Sequence, residues 1–238
     1  MPLPEQVQWK LYRAKQHYDE LKRELTQYFQ NEIGHLVEAP ESTSDKRVYV
    51  YDTKEQVPAR FGLIAGDFLQ NIRSSLDYLV WQLVLANNKK PGRQNAFPIC
   101  ETPQGWEKSI NENHRLKGVH PDAIAIIKSL QTCFFNMGHP APYPLAVLEK
   151  LTNENKHQQV LFTGIVSGFK PDKPVPFHHI ELQISRMRDG QTVPGERLLV
   201  YVAFKSGIVE KFEVLSCLDI ISNFVGFKVL PQFERFFN

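Results

Sequence analysis

Between Glu5 and about Ile33 the chain carries neither Gly nor Pro, and Leu11, Ala14, Tyr18, Leu21, Leu25, Tyr28 and Phe29 recur at three- and four-residue steps. That period predicts a long amphipathic helix with Gly34 at its stop. The polar loop APESTSDK then leads to RVYVYD, residues 47–52, whose β-branched and aromatic content predicts a short strand. A second long helix starts near Pro58, runs to about Asn87 and ends at the breakers of NNKKPGR. Shorter helices are expected around 103–112, over PDAIAIIKSLQ at 121–131, and from PLAVLEKL to about TNENKHQ.

Past residue 158 the period changes. VLFTGIVSGF, HIELQISRM, RLLVYVAF and IVEKFEV alternate or carry β-branched runs, separated by KPDKPVP, RDGQTVPG and KSG. They predict a four-stranded antiparallel meander. From Leu215 to Phe237 helical spacing returns, with Pro231 placed to bend or break the last helix. The expected fold is α+β: an N-terminal bundle of long helices over 1–158, then over 159–238 a small antiparallel sheet and a C-terminal helix, packed as one unit.

The second helix has an unusual polar side. At 100° per residue Asp67, Asn71, Ser74 and Tyr78 form a narrow stripe, while Phe68, Leu69, Ile72, Leu76, Leu79, Val80 and Leu83 gather opposite. Solvated helix faces are usually built from Lys, Glu, Gln and Arg; Asp, Asn and Ser compete with the backbone for hydrogen bonds and form helices poorly. Short polar groups here point to fixed partners. Two readings follow. Arg73 and Asp77, four residues apart, form an intrahelical pair inside a buried network, or the stripe is one wall of a site. The comparable cluster elsewhere is LTNENKH, with Asn153, Asn155, Lys156 and His157 at a helix end, where it reads either as a helix terminus with Lys and His set against the dipole or as groups facing the stripe. His157 titrates near neutrality and suits a general acid or base, while Lys156 and Arg73 suit a phosphate.

Composition adds limits. Across 238 residues, 42% hydrophobic and 23% charged is ordinary for a globular chain, and a net charge of +2 means any nucleic-acid contact has to be local. The basic segments KKPGR and HRLKGVH are the spots that could approach phosphates, with solvated loops as the alternative. Cys100, Cys133 and Cys217 are odd in number and form no CxxC pair, so neither a zinc site nor a disulfide framework is expected, and a reducing cytoplasm fits. The N-terminus lacks an apolar signal core and no run of about 18 apolar residues stands out, so the expectation is a cytoplasmic protein with no membrane partner. His178, His179 and Glu181 fall short of a metal ligand set, and no dinucleotide, P-loop, zinc-protease or nucleophile-elbow motif is present, so no cofactor is expected.

GDFLQNIRSSLDYLVWQLV, FPI, LQTC and LEKLTNENKH, in that order, resemble an uncharacterised bacterial family with the pattern GDxLHNLRSALDHLVWQL, FPI, LQPY and LxxLxNIDKHR. The likeness covers roughly residues 58 to 160. That family in turn resembles HEPN-type helical domains, marked by an Arg followed four to six residues later by a His. The resemblance implies a metal-independent ribonuclease or RNA-binding protein of a bacterial defence or toxin-like system, with RNA as partner and a homodimer formed through the helical region. It puts Arg73 on the scissile phosphate and Tyr78 at the His position, with His157 left to move a proton. Asp67, Asn71, Asp77, Asn153 and Lys156 would bind or orient. Tyr78, Gln70 and Gln158 stand where the patterns have His, His and Arg. A phenol titrating near pH 10 is a poor base at neutrality. The rival reading is a non-catalytic HEPN-like scaffold or binding protein, and a small-molecule enzyme with a polar pocket is a third.

Overall fold

The computed structural model describes residues 3–31, 35–38, 49–52, 57–134, 143–157, 162–168, 180–188, 191–205, 209 and 212–237. Gly34, the APESTSDK and KPDKPVP loops, most of loop 138–144, His178, His179 and Gln158 lie outside the described residues. What is described is mostly helical, with strands ahead of a C-terminal helix.

Helix α1 spans Glu5–Asn31 and α2 spans Ala59–Ala86, within a few residues of the periodicity's bounds. They lie antiparallel: Gln82 meets Gln6, Tyr18 meets Phe68, and at the far end Arg60 pairs with Glu24 at 2.6 Å beside a Tyr28–Phe61 edge contact. The seven apolar residues expected on the inner face of α2 are all buried. On α1, Val7, Ala14, Leu21, Leu25 and Tyr28 are buried, whereas Leu11 and Tyr18 pack at the margin of the core.

Proline and a side-chain oxygen or ring nitrogen start the shorter helices. The Thr102 hydroxyl accepts the Gly105 N–H at 3.0 Å ahead of α3 (Pro103–Glu107), which continues as a π turn over Lys108–Glu112. His120 Nδ1 accepts the Asp122 N–H ahead of α4 (Pro121–Ser129). Helix α5, Pro144–His157, packs on both α2 and the last helix, α6, Val214–Asn223.

The strand region departs from the expected meander. β1 (His35–Glu38), which periodicity did not single out, pairs antiparallel with β2 (Tyr49–Asp52). β3 (Phe162–Gly168), β4 (Ile180–Arg188) and β5 (Gln191–Phe204) form a three-stranded antiparallel sheet ordered β3-β5-β4, with the last strand in the middle. The expected turn RDGQTVPG is largely strand. Pro194 is tolerated because β3 covers β5 only from 198 to 204, and because β4 bulges between Gln183 and Ser185 just where Pro194 pairs. Of the fourth expected strand, IVEKFEV, residues 208, 210 and 211 lie outside the described residues, and its last residues, 213 and 214, form a helix start. Glu213 makes one isolated bridge to Ala203, and its carboxylate accepts the Leu215 and Ser216 N–H groups at 2.9 and 2.6 Å, capping α6.

Pro231 does not break the C-terminal helix. The chain passes from α6 through a π segment, Phe224–Val229, to a 3-10 segment, Leu230–Phe236, with the proline in its first turn where no N–H is needed. Val214–Phe236 is therefore long and apolar enough to cross a membrane by length and composition alone, a stretch the residue-run reading passed over. Val214, Leu218, Ile221, Val225, Val229 and Phe233 of this stretch are buried in the same core as α1 and α2.

Candidate functional site

The expected stripe and the site wall are neighbouring rows of α2. In the stripe, Asn71 Nδ2 donates to the Asp67 carbonyl at 2.8 Å, and Gln70 Nε2 reaches Ser74 Oγ at 3.4 Å. These short polar groups find partners in their own helix, as their chemistry favours. Asp67 is exposed, and Tyr78 turns towards α1, where Lys10 Nζ sits 5.8 Å from its ring centre. Neither lines a cavity with Arg73.

One row over, Arg73 is buried and works on the chain that follows α2. Its Nη2 donates to the Phe97 carbonyl at 2.6 Å, while Asp77 Oδ1 accepts the Phe97 N–H at 2.9 Å. The two ends of a four-residue helical pair, 3.3 Å apart, thus clamp both backbone groups of the fully buried first residue of FPIC. Arg73 Nη1 lies 3.8 Å from Glu149 Oε2 on α5 and makes no hydrogen bond among the described residues. Burial lifts the Asp77 carboxyl above the ordinary aspartate range, with Glu149 pushing the same way. Arg73, the Phe97 N–H and Arg115 pull it back.

Further side chains fix the rest of this loop. Buried Asn95 accepts the Gly92 N–H at 2.8 Å and donates to the carbonyls of Arg115 and Lys117 at 3.2 and 3.0 Å. Buried Gln131, from the LQTC segment, accepts the Cys100 N–H at 2.9 Å and donates to Ile127. Loop 92–97 and loop 113–117 are thereby tied together over the middle of α2.

A cleft of about 450 Å³ opens at this junction, lined by Gln70, Arg73, Asp77, Arg93, Gln94, Ala96, Asn113, Arg115 and Lys156. Among the described residues, four cations face one carboxylate there, and that carboxylate is already engaged by Phe97. Such a surface suits a multiply charged anion, which several guanidinium and ammonium groups can bind at once.

Lys156 arrives from the NENKH segment. Asn155 beside it lies so close to Gly66 that a Cβ at residue 66 would come within 2.2 Å of Asn155 Oδ1. The absence of a side chain at Gly66 leaves room for the Asn155 amide against α2. Asn153 stays on the surface, 3.4 Å from Glu149 Oε1, outside the cleft. His157 is the last residue of α5, and its side chain lies outside the described residues.

Among the candidates read from sequence, then, Arg73, Asp77 and Lys156 share one cleft, while Asp67, Asn71, Tyr78 and Asn153 line other surfaces. Arg93 and Arg115 enter from the KKPGR and HRLKGVH loops, whose sequence reads first as solvated loop. Glu149, Gln94 and Asn113 carried no local signal. Among the described residues, no three His, Cys, Asp or Glu side chains converge as metal ligands would. No protein-family model matches the chain, and no curated protein or solved structure matches it.

Proposed function

We propose that this protein is an HEPN-like RNA-binding protein of a bacterial defence or toxin-like system, acting in the cytoplasm and holding the phosphate backbone in the cleft between α2, α5 and the two arginine loops. The observation that carries the reading is the convergence of Arg73, Arg93, Arg115 and Lys156 on one cleft whose sole lining carboxylate among the described residues is occupied by a backbone N–H. A chain with a net charge of only +2 has concentrated cations where an anion can bind, which supports a local electrostatic site. Arg73, held by Phe97, contributes field and shape. Arg93, Arg115 and Lys156 supply the phosphate contacts.

The test is anisotropy of a labelled RNA strand at several salt concentrations. Three phosphate contacts on a single strand predict a log–log salt slope of about −2, at roughly 0.7 per contact. A slope near zero, or no binding at low salt, overturns the reading.

One observation favours a second reading, cleavage without metal. His157 directly follows Lys156, which lines the cleft. On that reading the His157 imidazole would act as base, taking the proton of a ribose 2′-OH as that oxygen attacks the phosphorus, while the departing 5′-oxygen takes a proton from water. Incubation with total RNA in EDTA decides: products from the wild type and none from His157→Ala support cleavage, and intact RNA with retained binding supports the non-catalytic reading.

A further inference from the structure

Helix α2 continues past the cleft with large exposed apolar side chains. Trp81 and Tyr78 are each 41% exposed and Leu85 is 45% exposed. Trp81 follows Asp77 by four residues, which sets it on the same helical side one turn, about 6 Å, beyond the cleft wall. Among the described residues its indole makes no hydrogen bond, ring contact or cation contact. Tyr78 beside it carries Lys10 near its ring. Leaving an indole at the surface gives up part of the stabilisation that burying a large apolar side chain contributes. Most of the other large apolar side chains of α2 are buried in the core, with Leu63 exposed near the opposite end of the helix.

We infer that Trp81, flanked by Tyr78, is a base-stacking platform, so that the cleft and this face of α2 together form a binding site for single-stranded RNA. The phosphate lies among Arg93, Arg115 and Lys156, and the adjoining base lies on the indole one helical turn away. A basic groove beside exposed aromatic rings is the arrangement by which single strands are held: the cations follow the backbone and the rings take the bases. A duplex can meet the cations but cannot use the platform, because its bases are already stacked on one another and present edges, not faces, to a protein. Charge complementarity with the adjacent cleft selects a polyanion with aromatic bases over an apolar partner. This inference rests on the RNA reading above and adds the strandedness and the residue that senses it.

The experiment uses the full chain with three probes: fluorescein-labelled oligouridylate, an RNA duplex of equal length, and inorganic polyphosphate as competitor. Trp81→Ala should weaken oligouridylate binding about 5- to 150-fold, the range for losing one base–aromatic stack, and leave duplex binding and polyphosphate competition unchanged. Trp81→Phe, which keeps a ring, should retain most of the affinity, and Arg115→Ala should weaken all three. If Trp81→Ala binds oligouridylate as tightly as the wild type while Arg115→Ala does not, the platform is overturned and the cleft reading stands. If the wild type binds polyphosphate but neither RNA, both are overturned. Equal losses on all three probes for Trp81→Ala would overturn the platform by showing a general disturbance of the fold, which circular dichroism would confirm.

Discussion

Arg73 and Arg115 face the same cleft, yet their charges are held in opposite ways. Arg73 is sealed in the protein, bonded to the Phe97 carbonyl and flanked by Asp77 and Glu149. Arg115 is half-buried at the rim, fixed through its backbone, whose N–H and carbonyl are taken by Ser109, Ala96 and Asn95; its guanidinium acts on Asp77 through space and has no direct ion pair among the described residues. A buried charge with several partners secures structure, since removing it strands those partners away from water. A rim charge whose backbone is anchored keeps its head group for a ligand. The difference teaches that convergence on a cleft does not make residues equivalent: one arginine shapes the site and the other is placed to serve it.

The comparison breaks most visibly if the two are truncated in turn. Arg73→Ala leaves the Phe97 carbonyl unpaired, and Asp77 and Glu149 lose their cation. A loss of about 1–3 kcal/mol in urea denaturation is expected, chiefly for the buried Phe97 carbonyl left without its donor, since both carboxylates keep access to water. A loss below about 1 kcal/mol would show that the clamp on Phe97 does not hold the loop.

A smaller effect sharpens how Lys156 reaches the cleft. Gly66→Ala should gain helix propensity but push Asn155 aside, so its benefit is cancelled in the wild type. In an Asn155→Ala background the same change should stabilise by about 0.5–1 kcal/mol. Additive effects across the double-mutant cycle would mean that Asn155 does not sit on Gly66 in solution.

The smallest effect concerns Asp77. Its carboxyl is raised by burial, so just above pH 4 the folded protein retains a proton that the unfolded chain has released. That contribution is fully present below the unfolded value and is lost as pH rises through the folded one. Wild-type stability should therefore fall relative to Asp77→Asn, which cannot ionise, as pH goes from about 4 towards neutrality. Urea midpoints for the two proteins at matched pH values check the sign. A gap that moves the other way would mean that Arg73 and the Phe97 N–H outweigh burial.

Much of the helical framework was legible because long Gly- and Pro-free segments with a 3.6 period leave few alternatives: α1, α2, α4 and α5 lie close to where periodicity puts them. The strand order was not legible, since alternation marks a strand without saying which neighbour it pairs with, and Glu213, which alternation places in a strand, caps a helix. In the site, the four-residue spacing of Arg73 and Asp77 was visible, but their partner was a backbone amide and carbonyl, which have no sequence signature. Arg93 and Arg115 were visible as basic loops. Their place beside α2 depends on Asn95, whose three hydrogen bonds bring residues 92, 115 and 117 together.

The central claim is that the rim cations bind a phosphate chain without supporting the fold, and Arg115→Ala tests it most directly when RNA affinity against salt and the urea midpoint are measured on the same sample. The account predicts a midpoint within about 0.5 kcal/mol of wild type, weaker RNA binding and a salt slope flatter by about 0.7. An unchanged affinity and slope, or a fall in stability as large as that of Arg73→Ala, would contradict it.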